Sequence, residues 1–208
     1  MAPTLIKSWF LKHNLNDIRV QPVATNEVLV KARVGDSKTQ VEVLVAAHGS
    51  GTGYRHLQAG TAEIAASSRP INNNELVALS AYGDLRSLKT EHIVAIDGLA
   101  IIVNPLNRMT HIDLQDLAAI FSGEIRNWSA LGGDDAPIRL YARDANSGTW
   151  DSFKSLVLGV KSLASAQRFE SNADLSDSVA ADPYGIGFVG LTSVRTSKLL
   201  AVYTHGVL

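Results

Sequence analysis

The chain has 208 residues, of which 46% are hydrophobic, 19% charged and 6% aromatic; that is enough for one sizeable core or two small lobes sharing a hinge, and too apolar for intrinsic disorder. Lys plus Arg number 19 against 20 Asp plus Glu, a net charge of -1, so no basic field is offered to nucleic acid. No apolar run reaches the roughly 18 residues of a membrane-spanning helix, and the absence of cysteine excludes disulfides, thiolate catalysis and cysteine-type zinc sites.

The first residues lack the basic start, short apolar stretch and small-residue cleavage site of an export signal. Pro3 suits the first turn of a helix over 4–13, with Leu5, Ile6, Trp9 and Phe10 on one stripe. Val28, Val30, Ala32 and Val34 alternate with polar residues, Gly35-Asp36 makes a turn, and Thr39, Val41, Val43 and Val45 alternate again; this predicts a hairpin. A short helix after Gly53, a buried strand around Ile64 and a helix over 73–81 follow. The stretch 92–104, HIVAIDGLAIIVN, is the most apolar in the chain, and Asp97-Gly98 breaks it where a continuous buried strand tolerates neither residue. Thr110 is placed to cap a helix with Asp113 in its first turn and Leu114, Leu117, Ala118 and Phe121 at helical spacing. A strand over 137–142, a helix over 148–158 with Trp150, Phe153, Leu156 and Val157 inward, and a helix over 174–181 come next. The glycine-interrupted run 185–190, GIGFVG, pairs with 92–104 as two crossings between lobes. The pattern is α/β.

Three segments share a layout in which a strand ends and a loop rich in Gly, Ser or Thr follows. They are His48-Gly49-Ser50-Gly51-Thr52-Gly53, Ser67-Ser68-Arg69 and Arg143-Asp144-Ala145-Asn146-Ser147-Gly148-Thr149. A helix N-terminus offers unpaired N–H groups and the positive end of its dipole, glycine lets the backbone approach an anion, and hydroxyls donate from the side. Arg69 and Arg143 each carry a planar fork that suits two oxygens of a phosphate or sulfate. Any one such loop is accounted for as a helix cap; three together, two with arginine and drawn from both sides of the expected hinge, point to an oxyanion.

Other motifs fail on spacing. No Gly-Lys-Ser/Thr tripeptide completes a P-loop, and Gly49, Gly51 and Gly53 do not make a dinucleotide fingerprint. Ser50 and Ser147 lie outside any G-x-S-x-G elbow, and only a spatial meeting of His48, Ser50 and Asp97 would make a triad. Among His13, His48, His56, His92, His111 and His205 no pair has metal-ligand spacing, so no metal and no cofactor is expected. Trp128 reads as a packing anchor. Asp97 reads equally as a hinge residue satisfied by backbone donors or as a cleft-facing acceptor for a protonated ligand oxygen.

The segments GSGTGYRHLQAGTAEIAASSRPI (49–71), EHIVAIDGLAIIVNP (91–105), LQDLAAIFSGEIRNWSALGG (114–133), RDANSGTWDSFK (143–154) and ADPYGIGFVG (181–190) resemble those of periplasmic phosphate-binding proteins of ABC importers, the PstS-like group with the type II periplasmic-binding-protein fold. The chain is most similar to the branch in which such a domain is fused to a peptidoglycan-binding domain of the outer-membrane-protein-A type. The resemblance implies two α/β lobes, 1–97 with 190–208 and 98–189, joined by two crossing hinge segments. It implies phosphate in the cleft, held by Ser50, Gly51 and Thr52, by Ser68 and Arg69, and by Arg143, Ser147, Gly148 and Thr149, with Asp97 and Asp144 as further candidates. An ABC permease or a fused peptidoglycan-binding domain is the implied partner, and the periplasm or cell envelope the implied location.

Two departures from the family pattern carry expectations. Well-known members use site carboxylates to accept from protonated phosphate, whereas this chain has Ser68 and Ala145 there, with Asp144 one residue away; a pocket of donors alone tolerates sulfate. Members also begin with a strand and a Gly-Ser-Thr-type loop, whereas this sequence opens almost inside the first helix, so an N-terminal strand appears in the family pattern but not here, with a bare sheet edge as the consequence. A non-enzymatic binding module for phosphate or a similar tetrahedral oxyanion is the leading expectation. A scaffold or sensory domain that keeps the fold without tight binding is the alternative, and a hydrolase using Ser50 or Ser147 the third.

Overall fold

The computed structural model describes residues 2–204; Met1 and 205–208, with His205 and the outermost ends of the expected lobe division, lie outside the described residues. Two compact units divide the chain, Met1–His48 and Gly49–Leu208.

The first unit is a helix on a small antiparallel sheet. Helix α1 (Ala2–Lys12) is followed by β1 (Leu15–Ala24), β2 (Glu27–Val34) and β3 (Gln40–Ala46), in the order β1-β2-β3. The predicted hairpin is β2–β3, with Val30 opposite Val43 and Ala32 opposite Val41; its turn is closed by the Val34 N–H donating to the Thr39 carbonyl at 3.0 Å. Period-2 alternation sends Val30 and Ala32 inward, where Phe10 joins them in a core flanked by Ile6, Leu15, Ile18, Val28, Val41 and Val43. Burying Phe10 contributes about 2 kcal/mol. The rest of the predicted helix stripe is less buried, with Leu5 and Trp9 exposed, because three short strands cover only a narrow face. Strand β1 has no clean alternation in sequence. It forms by pairing with β2 across bulges between Asn16 and Arg19 and between Pro22 and Ala24.

The second unit opens with helices α2 (Ser50–Gln58) and α3 (Asn73–Ala78). Then come β4 (Leu99–Val103), β5 (His111–Asp113), α4 (Leu114–Ser122), β6 (Arg139–Arg143) and α5 (Gly148–Phe153), which runs on as a π-helical turn over Lys154–Leu158. Strand β7 (Gln167–Phe169), α6 (Asn172–Ala181), β8 (Gly185–Gly190) and β9 (Lys198–Tyr203) complete the described residues. The sheet order is β5-β9-β4-β8-β6-β7. Strand β4 is antiparallel to β8 and β9, while β6 is parallel to β7 and β8 and β5 to β9. Both faces of this mixed sheet are covered, which is why β4 and β8 read as continuous apolar runs. Ile101 and Val103 point to a core with Phe121, Phe153 and Phe188, the last two stacked at 3.9 Å between ring centres. Ala100 and Ile102 point to the other face, against Leu175 and Val179 of α6. Trp128 is the anchor the sequence predicts, buried with its indole N–H donating to the Tyr184 carbonyl at 3.1 Å. Among the described residues no helix is long and apolar enough to cross a membrane.

Five local expectations are corrected. The predicted strand around Ile64 is absent and Ile64 is 85% exposed. Of the apolar stretch 92–104, only β4 is a strand; Ile93, Val94 and Ile96 precede it in exposed, irregular chain. Apolar content supplies the wish to be buried, but a strand also needs a ladder partner, and in this structure neither segment pairs. The cap of α4 is Asp113, whose carboxylate accepts the Gln115 N–H at 2.7 Å, rather than Thr110. Helix α2 begins at Ser50 instead of after Gly53. Leu156, expected inward, is exposed because the π-helical turn rotates it off the buried face.

Candidate functional site

Apart from His48, all three candidate loops belong to the second unit. The first ends at Gly49, the N-cap of α2, where φ is +98°. Such a backbone favours glycine, and space demands it too, because a Cβ there would lie 2.4 Å from the Asn146 carbonyl oxygen. The Gly51 N–H donates to that same oxygen at 3.2 Å. Ser50 is 5% exposed, and its Oγ accepts the Ser68 N–H at 3.0 Å and lies 3.4 Å from the Ser68 hydroxyl. Two of the predicted loops are thus hydrogen-bonded to each other.

The third loop meets them at Gly148. A Cβ on Gly148 would stand 2.3 Å from both the Ser50 and the Ser68 Oγ, so these two hydroxyls reach the backbone at the start of α5. Ser147, 1% exposed, caps that helix, its Oγ accepting the Trp150 N–H at 3.3 Å. The N–H groups of Gly148 and Thr149 are first-turn donors without intrahelical acceptors. Beside them lies Arg143, at the end of β6 and 7% exposed. Its Nε donates to the Phe169 carbonyl at 3.2 Å, Nη2 to the Glu170 carbonyl and Nη1 to Thr149 Oγ1 at 3.5 Å. Burial pulls the Arg143 guanidinium below its ordinary value, and the charges of Asp144 and Glu170 oppose that pull. The Gly51 and Thr52 N–H groups at the start of α2 are taken by the Asn146 and Gly49 carbonyls, so a desolvated cation, the start of α5 and four hydroxyl residues lie together as a cradle chemically suited to an oxyanion.

The remaining candidates stand apart. The Asp144 carboxylate accepts the Asn146 N–H at 2.9 Å within its own turn. Asp97 is exposed, with Oδ1 accepting the Gly98 N–H at 2.9 Å. Arg69 is occupied: Nη1 and Nη2 take both oxygens of Glu75 at 2.8 and 2.7 Å, Nε takes Asp151, and the guanidinium lies 5.3 Å from the Tyr54 ring centre. The hydrogen bond to Glu75 raises the Arg69 pKa most, against the lowering effect of burial, and Asp151 adds to the rise. Its fork therefore serves carboxylates of the protein.

Sequence reasoning missed Arg55 and Asn146. The Arg55 Nη2 donates to Thr52 Oγ1 at 3.0 Å and to Asn146 Oδ1 at 3.1 Å, linking positions 91 residues apart. Helical i to i+3 spacing signals the first contact; nothing in the sequence signals the second. A cleft of about 260 Å³ adjoins the cradle, with Gly51, Tyr54, Arg55, Arg69, Ala145 and Asp151 among its lining. Among the described residues no cluster of three or more His, Asp or Glu has the arrangement of a metal site.

A family model described as a PBP superfamily domain matches residues 20–206. The phosphate-binding protein PstS of Borreliella burgdorferi is 30% identical over 186 residues, covering 86% of this chain and 62% of the relative. That of Bacillus subtilis is 29% identical over 172 residues, covering 83% and 55%. Among solved structures, a putative phosphate ABC transporter substrate-binding protein with bound phosphate from Clostridium perfringens aligns with a TM-score of 0.65 at 28% identity, over 74% of this chain and 61% of its own. An ABC-type phosphate transport receptor from Vibrio cholerae aligns at 0.58 and 33%, over 74% and 62%. The chain thus spans 62% and 55% of the lengths of these two curated relatives.

Proposed function

Because the chain belongs to the PBP superfamily, with the α/β, type II periplasmic-binding-protein fold and PstS-like relatives, we propose that its cradle binds phosphate in a solute-binding role. Ser50, Thr52, Ser68, Ser147 and Thr149 supply hydroxyls, Gly51, Gly148 and Thr149 bring backbone close to the anion, and Arg143 supplies charge. The observation that carries this reading is the meeting of the Ser50 and Ser68 hydroxyls at the Gly148 backbone, beside the buried Arg143. The chemistry is electrostatic. Arg143 sits where water screens it poorly, so an anion beside it is held strongly, and fixed donors take the place of the anion's hydration shell.

The role is binding rather than catalysis, as the names of the relatives support, with an ABC permease or a fused envelope domain as partner and the cell envelope as location. Arg69 acts as a strut between Glu75 and Asp151, leaving Arg143 as the charged ligand to the anion. The same reading divides the chain into lobes of 1–97 with 190–208 and of 98–189. It draws support from the pairing of Leu99 with Gly190, side by side where both crossings would run, and from Asp97 Oδ2, 3.0 Å from the place of a Gly190 Cβ. On that division Ser50 and Ser68 lie on one lobe and Arg143 and Ser147 on the other, so the anion favours closure by contacts that only the closed form offers.

Isothermal titration with phosphate and with sulfate tests the proposal. Saturable heat with phosphate is expected, and sulfate competes because Ser68 and Ala145 place no carboxylate to reject it. No heat with either anion at millimolar concentration overturns the reading.

A further inference from the structure

We propose that Arg55 and Asn146 form a clamp that holds the start of α2 against the loop 143–149, making both positioning residues for the oxyanion. The inference rests on the phosphate-binding reading for its ligand but on different residues for its geometry.

The two loops touch in backbone at one point, the Asn146 carbonyl. That oxygen accepts the Gly51 N–H at 3.2 Å and is the atom that excludes a side chain from Gly49. A single backbone hydrogen bond is a pivot: it sets a distance and leaves α2 free to turn about it. Turning would carry the Ser50 Oγ away from Gly148, and with it the hydroxyl that the cradle needs.

The Arg55–Asn146 contact supplies the second point of attachment. Arg55 lies four residues beyond Gly51, about 6 Å along the helix axis. From there Nη2 reaches back to Thr52 Oγ1 at 3.0 Å and across to Asn146 Oδ1 at 3.1 Å. Asn146 is itself held, since its N–H donates to Asp144 Oδ1 at 2.9 Å. The two contacts are rooted in α2 about one helical turn apart and end on the backbone and side-chain oxygens of Asn146, so the second restrains the turning that the first alone leaves free. On the proposed lobe division Arg55 and Asn146 sit on opposite lobes, so the clamp forms together with closure.

The function of Asp144 changes accordingly. Its carboxylate does not face a ligand but orders the turn that presents Asn146. The contrast with Arg69 is instructive, because Arg69 spends its donors on Glu75 and Asp151, whereas the Nη2 of Arg55 meets two neutral oxygens.

The test is a double-variant cycle read by phosphate titration, with Arg55→Ala, Asn146→Ala and the pair. Each single substitution is expected to weaken phosphate binding about fivefold, as loss of a solvent-accessible hydrogen bond to a charged group. The double variant weakens it no further, because either change opens the same clamp. Arg55→Lys, which keeps one donor, recovers part of the loss. Exchange of the Gly51 amide hydrogen rises by a similar factor in each single variant without ligand, while melting temperature stays within a degree or two because both side chains are exposed. Losses that multiply in the double variant, or wild-type affinity in Asn146→Ala, overturn the clamp and leave Arg55 as a simple attractor of anions. Should the wild type take up no phosphate, the functional reading falls alone, and unchanged Gly51 exchange in the variants is then the result that rejects the clamp.

Discussion

Gly148→Ala adds one methyl group where the site has no room for it. The new Cβ would stand 2.3 Å from the Ser50 and Ser68 hydroxyl oxygens, about 1 Å inside the ~3.3 Å at which carbon and oxygen ordinarily meet. Backbone strain is not the issue, because Gly148 is the first residue of α5 and is absent from the positive-φ positions. Judged by helix propensity alone, alanine would stabilise the protein by about 0.5–1 kcal/mol. The packing argument gives the opposite sign: both hydroxyls must swing away, and overpacking costs about 1–3 kcal/mol. Each hydroxyl that no longer reaches the anion forfeits a charge-assisted hydrogen bond of about 1.5–3 kcal/mol. Losing both weakens binding by about 3–6 kcal/mol, at least a hundredfold in the dissociation constant. Phosphate titration measures the loss and urea unfolding the stability. A variant that binds within twofold of wild type, or that is more stable, refutes the claim that the loops converge at Gly148.

Other consequences are as concrete. Arg143→Ala should weaken phosphate binding at least a hundredfold and cost about 1–3 kcal/mol of stability, because the Glu170 carbonyl loses the guanidinium donor and the Phe169 carbonyl keeps only the Asp144 N–H; Arg143→Lys should fall between, keeping charge without the fork, and titration with urea unfolding checks both. Arg69→Ala leaves the Glu75 and Asp151 carboxylates without the guanidinium that joins them, and unfolding should register a loss of about 3 kcal/mol. Burial first, and then the 2.8 Å hydrogen bond to Asp182, push the Tyr141 hydroxyl up to about 12. The folded state thus keeps a proton that the unfolded chain gives up near pH 10. This contribution to stability is whole below that pH and disappears as pH rises towards 12. An alkaline tyrosinate titration should show one late step that Tyr141→Phe lacks.

The residues that meet at Gly148 are legible in the sequence. Ser50, Ser68, Ser147 and Gly148 follow from the rule that glycine and hydroxyl residues at strand ends and helix starts suit anions, and Arg143 from its two-donor fork. The β2–β3 hairpin was equally plain, because alternation and a Gly-Asp turn are local signals. Arg69 was not legible in its true role. Sequence shows a fork beside a Ser-rich loop, but which carboxylates fill it depends on Glu75, six residues away, and Asp151, 82 residues away.

What the sequence determined alone is what depends on neighbours in the chain: periodicity, turn chemistry, helix starts and the residue types able to hold an oxyanion. Only the tertiary structure decided partnership. It left Ile64, Ile93 and Ile96 unpaired despite their apolar character, set Asn146 on α2, and brought Gly148 under two serines. The physical reason is that apolar character and donor capacity belong to a residue, whereas a ladder bond, an ion pair or a steric limit belongs to two residues, and their meeting is fixed by how the whole chain packs.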